Sequence, residues 1–482
     1  QLALLVGMLK VPSAYNPRRN PNNALKRRNI VLSVMQREAL IDEDALKTLQ
    51  QVPIKLVKPS YRSETRYPAF HDLVRLELRN NFKDEELRTE GLSVSTNINP
   101  VLQESLEKNM ILTKKELIKK YGSKLNDLEG AAIAVDIQSG EIRAVVGSSS
   151  PAQFGFNRSL NAIRSIGSLV KPFVYLTAVK NYQDYNLTTM LDDSKLSLKL
   201  SSNSKWEPNN FDKKYHGEVP LHKALWQSYN IASARLGLDL GFDAVEITMQ
   251  DLGIKKEVPH YPSFFIGSFE MSPFEVIQAY QTIASDGFYS PLRSIREITD
   301  LKGNTNLRYP YVIEQRLRPE PINLIKFAMQ QTFIKGTARG YSLKKINLWD
   351  AGGKTGTSDD QRDSWFVGYA GKYLVLVWLG FDDNRATPLT GRSGALQVWK
   401  NFINDIDPIP VEKTKLSRIV YAWTDLSDGL LSGPKCKGSI LTPFIKGTEP
   451  SVTPDGRRNC GTSIEKNSSE VLDKLKGVFL NE

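Results

Sequence analysis

Little in this chain points to a membrane span, a metal site or a repeat. No stretch approaches the roughly 18 consecutive apolar residues a transmembrane helix needs, and its 482 residues contain no zinc-ligand spacing and no internal repeat. Cysteine is scarce: only Cys436 and Cys460 occur, both in a Gly/Pro/Ser-rich stretch near the C-terminus. Two cysteines alone in a loop-rich segment are expected to form one disulfide in an oxidising compartment, with a pair of free thiols as the alternative. The chain starts at Gln1 with neither initiator methionine nor signal peptide. A fragment or processed form is therefore expected, with any anchor upstream.

The net charge of +11 suggests nucleic acid until it is mapped. Residues 1–66 hold 12 Lys/Arg against 5 Asp/Glu, a net +7 that leaves only +4 for the other 416 residues. A local basic patch suits an anionic membrane surface or a pyrophosphate-bearing lipid as well as a nucleic acid. With no nucleic-acid-binding motif beside it, nucleic acid is not expected as a partner.

What is present begins with length. A chain of this size, 40% hydrophobic and 24% charged, can bury a large core and is expected to hold two or three units. Its organising stretch is Arg164-Ser165-Ile166-Gly167-Ser168-Leu169-Val170-Lys171-Pro172-Phe173. Pro172 is tolerated near a helix start, and the apolar run after it continues as a buried helix. Ser168 and Lys171 then share one face of the first turn, close enough to touch. A serine near the positive end of a helix dipole, beside a lysine whose pKa burial lowers, is a nucleophile with its base.

A Ser-x-x-Lys tetrad alone is a weak signal, since Ser105, Ser202, Ser342, Ser432 and Ser463 each start another. Ser168 stands out by two motifs downstream of it. They are Ser228-Tyr229-Asn230, running into a helical pattern, and Gly353-Lys354-Thr355-Gly356-Thr357, with the only Lys-Thr-Gly of the chain. Ser-x-Asn has decoys at Ser95, Ser159 and Ser201, but the ordered trio is far rarer than any member. It resembles the signature of penicillin-binding proteins and serine β-lactamases. In chemical terms Ser228 can relay a proton between Lys171 and a leaving group. Asn230 can hold Lys171 and a substrate amide at once. The Lys354 ammonium favours a substrate carboxylate, which Thr355 and Thr357 can hydrogen-bond. Gly353 and Gly356 are expected to let a substrate backbone pair along the strand edge.

Helices are expected over residues 1–50, and a polar connector over 53–127 that closes in a charged, solvated helix around 112–121. The runs 131–137 and 141–147 flank Gln138-Ser139-Gly140 as a hairpin. A capped helix is expected after Ser272, and strands return at 353–357, 365–370 and 373–381, the last two joined by a turn at Gly371-Lys372. Strands early, helices in the middle and strands late imply an α/β fold. Its one sheet is mainly antiparallel, assembled from both ends and covered by helices. After about Asp407 come a linker, the cysteine-bearing segment and a polar tail.

Leu5-Val6-Gly7-Met8-Leu9-Lys10, Pro12-Ser13-Ala14-Tyr15-Asn16-Pro17 and Arg27-Arg28-Asn29 resemble the C-terminal end of a family 51 peptidoglycan glycosyltransferase domain, an all-α unit. Together with Asp363-Ser364-Trp365-Phe366-Val367-Gly368 and Gly391-Arg392-Ser393-Gly394-Ala395, the chain resembles the class A bifunctional penicillin-binding proteins. The short connector and trailing cysteine pair are similar to the 1b type of Gram-negative bacteria.

The resemblance implies a glycosyltransferase end over 1–52, a connector over 53–127, a penicillin-recognising transpeptidase domain over 128–408 and a small C-terminal segment over 409–482. It implies a serine D,D-transpeptidase with the Ser168 and Thr357 N–H groups as oxyanion hole, acting on peptidoglycan stem peptides and trapped by β-lactams. No metal or cofactor is implied. For the whole protein it implies lipid II as glycosyltransferase substrate, an outer-membrane lipoprotein activator and divisome proteins as partners. The location implied is the periplasmic face of the inner membrane, with an upstream anchor. The catalytic glutamates of that glycosyltransferase family lie upstream of the matching segment, so this chain by itself is not expected to polymerise glycan strands. Three rivals share the trio: a D,D-carboxypeptidase, a penicillin-binding sensor without turnover, and a class A β-lactamase. The last is disfavoured by the length and by the lack of a Glu-x-x-Leu-Asn pattern between Ser228 and Lys354.

Overall fold

A computed structural model describes the chain except residues 12–13, 18–19, 57–65, 90, 153–154, 202–203, 301, 412–415, 451–463 and 466–482. Pro12, Ser13, Pro59 and Cys460 therefore lie outside the described residues. The chain divides into two compact units, Gln1–Arg66 and Tyr67–Glu482. The segments expected as connector from residue 67 on, as transpeptidase domain and as C-terminal segment thus fall in one body.

The first unit is helical: α1 (Leu2–Leu9), α2 (Pro21–Arg37) and α3 (Glu43–Gln51). A Cβ on Gly7 would meet Arg27 Cγ at 3.1 Å, so glycine there lets α1 lie close on α2. Arg28 is buried and donates to the carbonyls of Gln50 and Val52 at the end of α3, where a cation complements the helix dipole. This explains part of the Arg27-Arg28-Asn29 motif as a structural tie.

The second unit is built on a five-stranded antiparallel sheet of β1 (Glu129–Asp136), β2 (Ile142–Val146), β3 (Ala351–Thr357), β4 (Asp363–Ala370) and β5 (Tyr373–Gly380). Its spatial order is β3-β4-β5-β1-β2. The early hairpin joins the late meander through β5 and β1, with Leu374 opposite Val135. Alternate residues serve two cores. Ala131, Ile133, Val135, Leu374, Leu376 and Trp378 face one, while Ala132, Ala134, Val375, Val377 and Leu379 face the other. Both faces are dry, which is why these strands read as continuous apolar runs rather than alternating ones.

Helix α4 (Lys171–Lys180) lies in the first core, where Phe173–Val179 are all buried. The second core is covered by α5 (Pro100–Tyr121) and by α6 (Ala395–Asp405). The charged helix expected around 112–121 is thus 22 residues long, and it is not solvated all round. Ser105 Oγ donates to Asp405 (2.8 Å) and Asn401 Nδ2 to Thr113 Oγ1 (3.2 Å), a polar seam between the two helices. The connector also contributes a strand, Ser93–Thr96, which pairs with Ile295–Thr299. The segment after Asp407 holds an antiparallel pair, Ile419–Asp425 with Ser439–Ile445, and Cys436 is disulfide-bonded.

Candidate active site

The strand β3 has a single neighbour, β4, and so forms an edge of the sheet. The Ser168 turn packs against it. Gly167 adopts φ +51°, and a Cβ there would lie 2.5 Å from Thr357 O; a Cβ on Gly356 would meet Leu169 Cγ at 2.8 Å and Ile166 O at 2.9 Å. These glycines bring the nucleophile turn and the Lys-Thr-Gly strand into backbone contact. The expectation that Gly353 and Gly356 make room for a substrate is corrected: the space at Gly356 is taken by Ile166 and Leu169, and that at Gly353 by Phe366 and Val367. The N–H groups of Ser168 and Thr357 sit on the two elements so joined.

Ser168 lies in a 3₁₀ turn, Gly167–Val170, immediately before α4 rather than within it. It is half-buried, whereas Lys171 is wholly buried. The lysine's backbone N–H donates to Ser168 O, but its Nζ makes no hydrogen bond to Ser168 Oγ. Its Nζ donates to Ser228 O (2.6 Å), Asn230 Oδ1 (2.7 Å) and Ser228 Oγ (3.3 Å). Lys354, also buried, donates to Ser228 Oγ (2.8 Å) and Thr355 O (2.9 Å). The Ser228 hydroxyl therefore stands between two lysines, as a proton relay requires. Ser228 holds φ +63° between the helices Leu221–Gln227 and Asn230–Leu240, a left-handed conformation uncommon for a non-glycine residue. Asn230 Nδ2 donates to Asn209 O (2.7 Å), leaving its second N–H for a substrate.

Burial, and after it the neighbouring Lys354 ammonium, pushes the Lys171 amine well below the ordinary lysine range, with Asp193 opposing. Burial brings Lys354 down to about 7. An amine is cationic below its pKa, so a free-enzyme Lys354 that must hold a substrate carboxylate loses that charge as pH rises through about 7. The second-order rate of acylation is expected to fall across that limb. Lys354→Arg, which keeps its charge, is expected to remove it. A limb that stays in place in the arginine variant would assign the titration to another group.

The two threonines are engaged by their own chain. Thr355 Oγ1 pairs with Thr337 Oγ1 (2.7 Å), and Thr357 Oγ1 accepts from the Gly391 N–H (3.0 Å), which leaves the Thr357 proton free to donate. Arg392 ties this wall down by donating to Thr337 O (2.9 Å) and Arg339 O (2.7 Å). Trp365 Nε1 donates to Ser165 O (2.9 Å), and Asp363 accepts from Ser358 Oγ (2.8 Å) and Trp378 Nε1 (2.9 Å). The Asp363-Ser364-Trp365 and Gly391-Arg392-Ser393 pieces are thus walls of the site. Ser168, Lys171, Ser228, Asn230, Lys354, Thr355, Gly356 and Thr357 converge on one edge. Sequence reasoning missed Thr337, Asn209 and Asn210; Asn209-Asn210, in a loop after Trp206, is the only local hint of the last two.

Residues 130–387 match the family model described as penicillin binding protein transpeptidase domain. The chain is 43% identical over 404 residues to penicillin-binding protein 1B of Vibrio cholerae, spanning 84% of this chain and 51% of that protein. It is 38% identical over 414 residues to the Escherichia coli protein of the same name, spanning 85% and 49%. The chain thus spans about half the length of these curated relatives. In fold it is similar to the crystal structure of penicillin-binding protein 1A from Haemophilus influenzae. That match has a TM-score of 0.75 at 22% identity over 94% of this chain and 86% of that one. It is similar also to PonA1 of Mycobacterium tuberculosis in complex with penicillin V (TM-score 0.62, 22% identity, 77% and 100% covered).

Proposed function

Because this chain belongs to the penicillin-binding protein transpeptidase family, we propose that it is a D,D-transpeptidase that cross-links peptidoglycan stem peptides through an acyl-enzyme on Ser168. The observation that carries this reading is the buried pair Lys171–Lys354 clasping the Ser228–Asn230 turn beside a half-exposed serine at a sheet edge. A stem peptide lies along β3 with its terminal carboxylate at Lys354, Thr355 and Thr357. The Ser168 proton passes to Lys171 as Oγ bonds to the penultimate D-Ala carbonyl carbon, and the oxyanion rests on the N–H groups of Ser168 and Thr357. As the tetrahedral intermediate collapses, the terminal D-Ala leaves as its amine, protonated through Ser228. A neighbouring stem-peptide amine then attacks the ester, releasing Ser168 and forming the cross-link. A β-lactam enters the first half of this cycle and stays on Ser168.

Residues 1–52 are proposed as the end of a glycosyltransferase domain that, in the whole protein, polymerises lipid II at the periplasmic face of the inner membrane. Among the described residues no helix is long and apolar enough to cross a membrane. An outer-membrane lipoprotein activator and divisome proteins are proposed partners of the whole protein only.

The test is turnover of a D-Ala-D-Ala stem peptide with and without a competing amine. Amide product that grows with amine concentration at the expense of the hydrolysed acid is the expected result. Acid alone at every amine concentration would identify a carboxypeptidase, and acylation without turnover a sensor.

A further inference from the structure

The Ser228-Tyr229-Asn230 turn is held from behind by a side-chain network. The helix Asn230–Leu240 has Tyr229 at its N-cap, with no side-chain cap of its own. Its first three N–H groups are nevertheless all satisfied. Asn210 Oδ1 accepts from Asn230 N (2.7 Å) and Ile231 N (3.3 Å), and Asp193 Oδ1 accepts from Ala232 N (2.9 Å). The Asp193 side chain is wholly buried. Its other oxygen accepts from Asn210 Nδ2 (2.6 Å) and faces His216 Nδ1 at 2.6 Å. The opposite ring nitrogen, Nε2, faces Asp212 at 3.0 Å. Each ring nitrogen of His216 thus faces a carboxylate oxygen.

The same ring stacks on Tyr229, centroids 4.0 Å apart and planes 13° from parallel, so His216 touches the residue between Ser228 and Asn230. The mounting is rigid, because the strands Met190–Asp192 and Glu218–Pro220 pair, with Asp193 N donating to Gly217 O (2.8 Å) and His216 N to Asp193 O (3.3 Å). Asp193 is also the carboxylate whose charge acts on Lys171, against the repulsion of Lys354.

We propose that Asp193 and His216 are positioning residues of this reaction, which hold the Ser228-Tyr229-Asn230 turn where Asn230 and Ser228 can receive the Lys171 ammonium during acylation. Asp193 fixes the helix end and supplies the counter-charge, while His216 orients Asp193 and clamps Tyr229. Neither touches the substrate, so the effect is expected in the acylation rate per active site rather than in the number of sites.

The proposal rests on the transpeptidase reading, and the wild-type protein tests that premise by itself: absence of a penicilloyl adduct there overturns the reading of the site. Given wild-type acylation, sites are titrated to completion with a fluorescent penicillin and the rate constant per titrated site is compared. His216→Phe keeps the stacked ring and donates nothing to Asp193. A loss of about ten-fold per site is expected, with titratable sites and melting temperature near wild type. His216→Gln, whose amide can donate to Asp193, is expected to return to within about three-fold of wild type. An unchanged rate per site in His216→Phe, or an equal loss in both variants, overturns the proposal. A merely structural histidine would reduce the number of titratable sites and leave the rate of the survivors unchanged. Should His216→Phe fail to fold, Asp212→Asn at the half-exposed end of the ring decides. A slower rate per site supports the positioning role, and an unchanged rate overturns it.

Discussion

Ser168→Ala is expected to take up no benzylpenicillin, leaving the intact mass of the protein unchanged after an incubation in which the wild-type chain gains one penicilloyl group. Turnover of a stem peptide is expected to fall on the order of 10⁶-fold, the scale that loss of the nucleophile has in serine acyl transfer. The fold is expected to ignore the change. The Ser168 hydroxyl makes no hydrogen bond among the described residues and the residue is half-buried, so stability should move by no more than about 0.5 kcal/mol. The informative rival is Ser228, whose hydroxyl lies 2.8 Å from one buried amine and 3.3 Å from another. If the adduct survives in Ser168→Ala and vanishes in Ser228→Ala, the nucleophile and the relay exchange roles. Ser228 stands in a left-handed turn with both lysines against it, which suits a shuttle between fixed partners. Ser168, beside a strand edge and with no amine bonded to it, is the hydroxyl a substrate can approach.

How this site assembles was legible only in part. The trio of motifs could be read because each member is local, one of them marking the strand Ala351–Thr357, and the other four strands because burial on both faces writes largely apolar runs. The long helix Pro100–Tyr121 was read only in its last part. Its start is marked by Asn99, which caps Val101 and Leu102 with Pro100 at the first position. Its buried face, however, interrupts the apolar series Leu102, Leu106, Met110 and Leu117 with Gln103, Ser105, Asn109 and Thr113; Gln103 bonds Val145 on β2, and the partners of the other three lie hundreds of residues away on the helix Ala395–Asp405. Asp193, Asn210 and His216 were hidden for the same reason. They meet through the pairing of Met190–Asp192 with Glu218–Pro220, and two-residue contacts of that range have no period. The glycines were seen, but their purpose was misjudged. A Lys-Thr-Gly strand looks open toward a ligand in one dimension, and only the packed turn of Ile166 and Leu169 shows that the missing side chain serves the protein's own backbone.

Lys171→Met separates the two amines as candidate bases. The substitution fills the same buried space and removes the one group that donates to Ser228 O and Asn230 Oδ1 together. Each acceptor left without its donor costs about 1–3 kcal/mol. Against that, the folded state no longer has to bury an amine whose charged form is disfavoured by desolvation and by Lys354. The two effects oppose, so a melting temperature within a few degrees of wild type is expected. Acylation has no such compensation. A positioned general base contributes on the order of 10²–10⁴-fold, and here the same group also orders the turn that relays the proton, so a loss at the upper end, about 10⁴-fold, is expected per titrated site. Stopped-flow acylation with a fluorescent penicillin, beside a thermal melt, measures both. The alternative is concrete: Lys354 is brought by burial to about 7 and bonds Ser228 Oγ at 2.8 Å, which would let it take the proton through Ser228. A Lys171→Met chain that still acylates within about ten-fold of wild type, where removal of the general base predicts far more, would make Lys354 the base and leave Lys171 a strut for the Ser228–Asn230 turn.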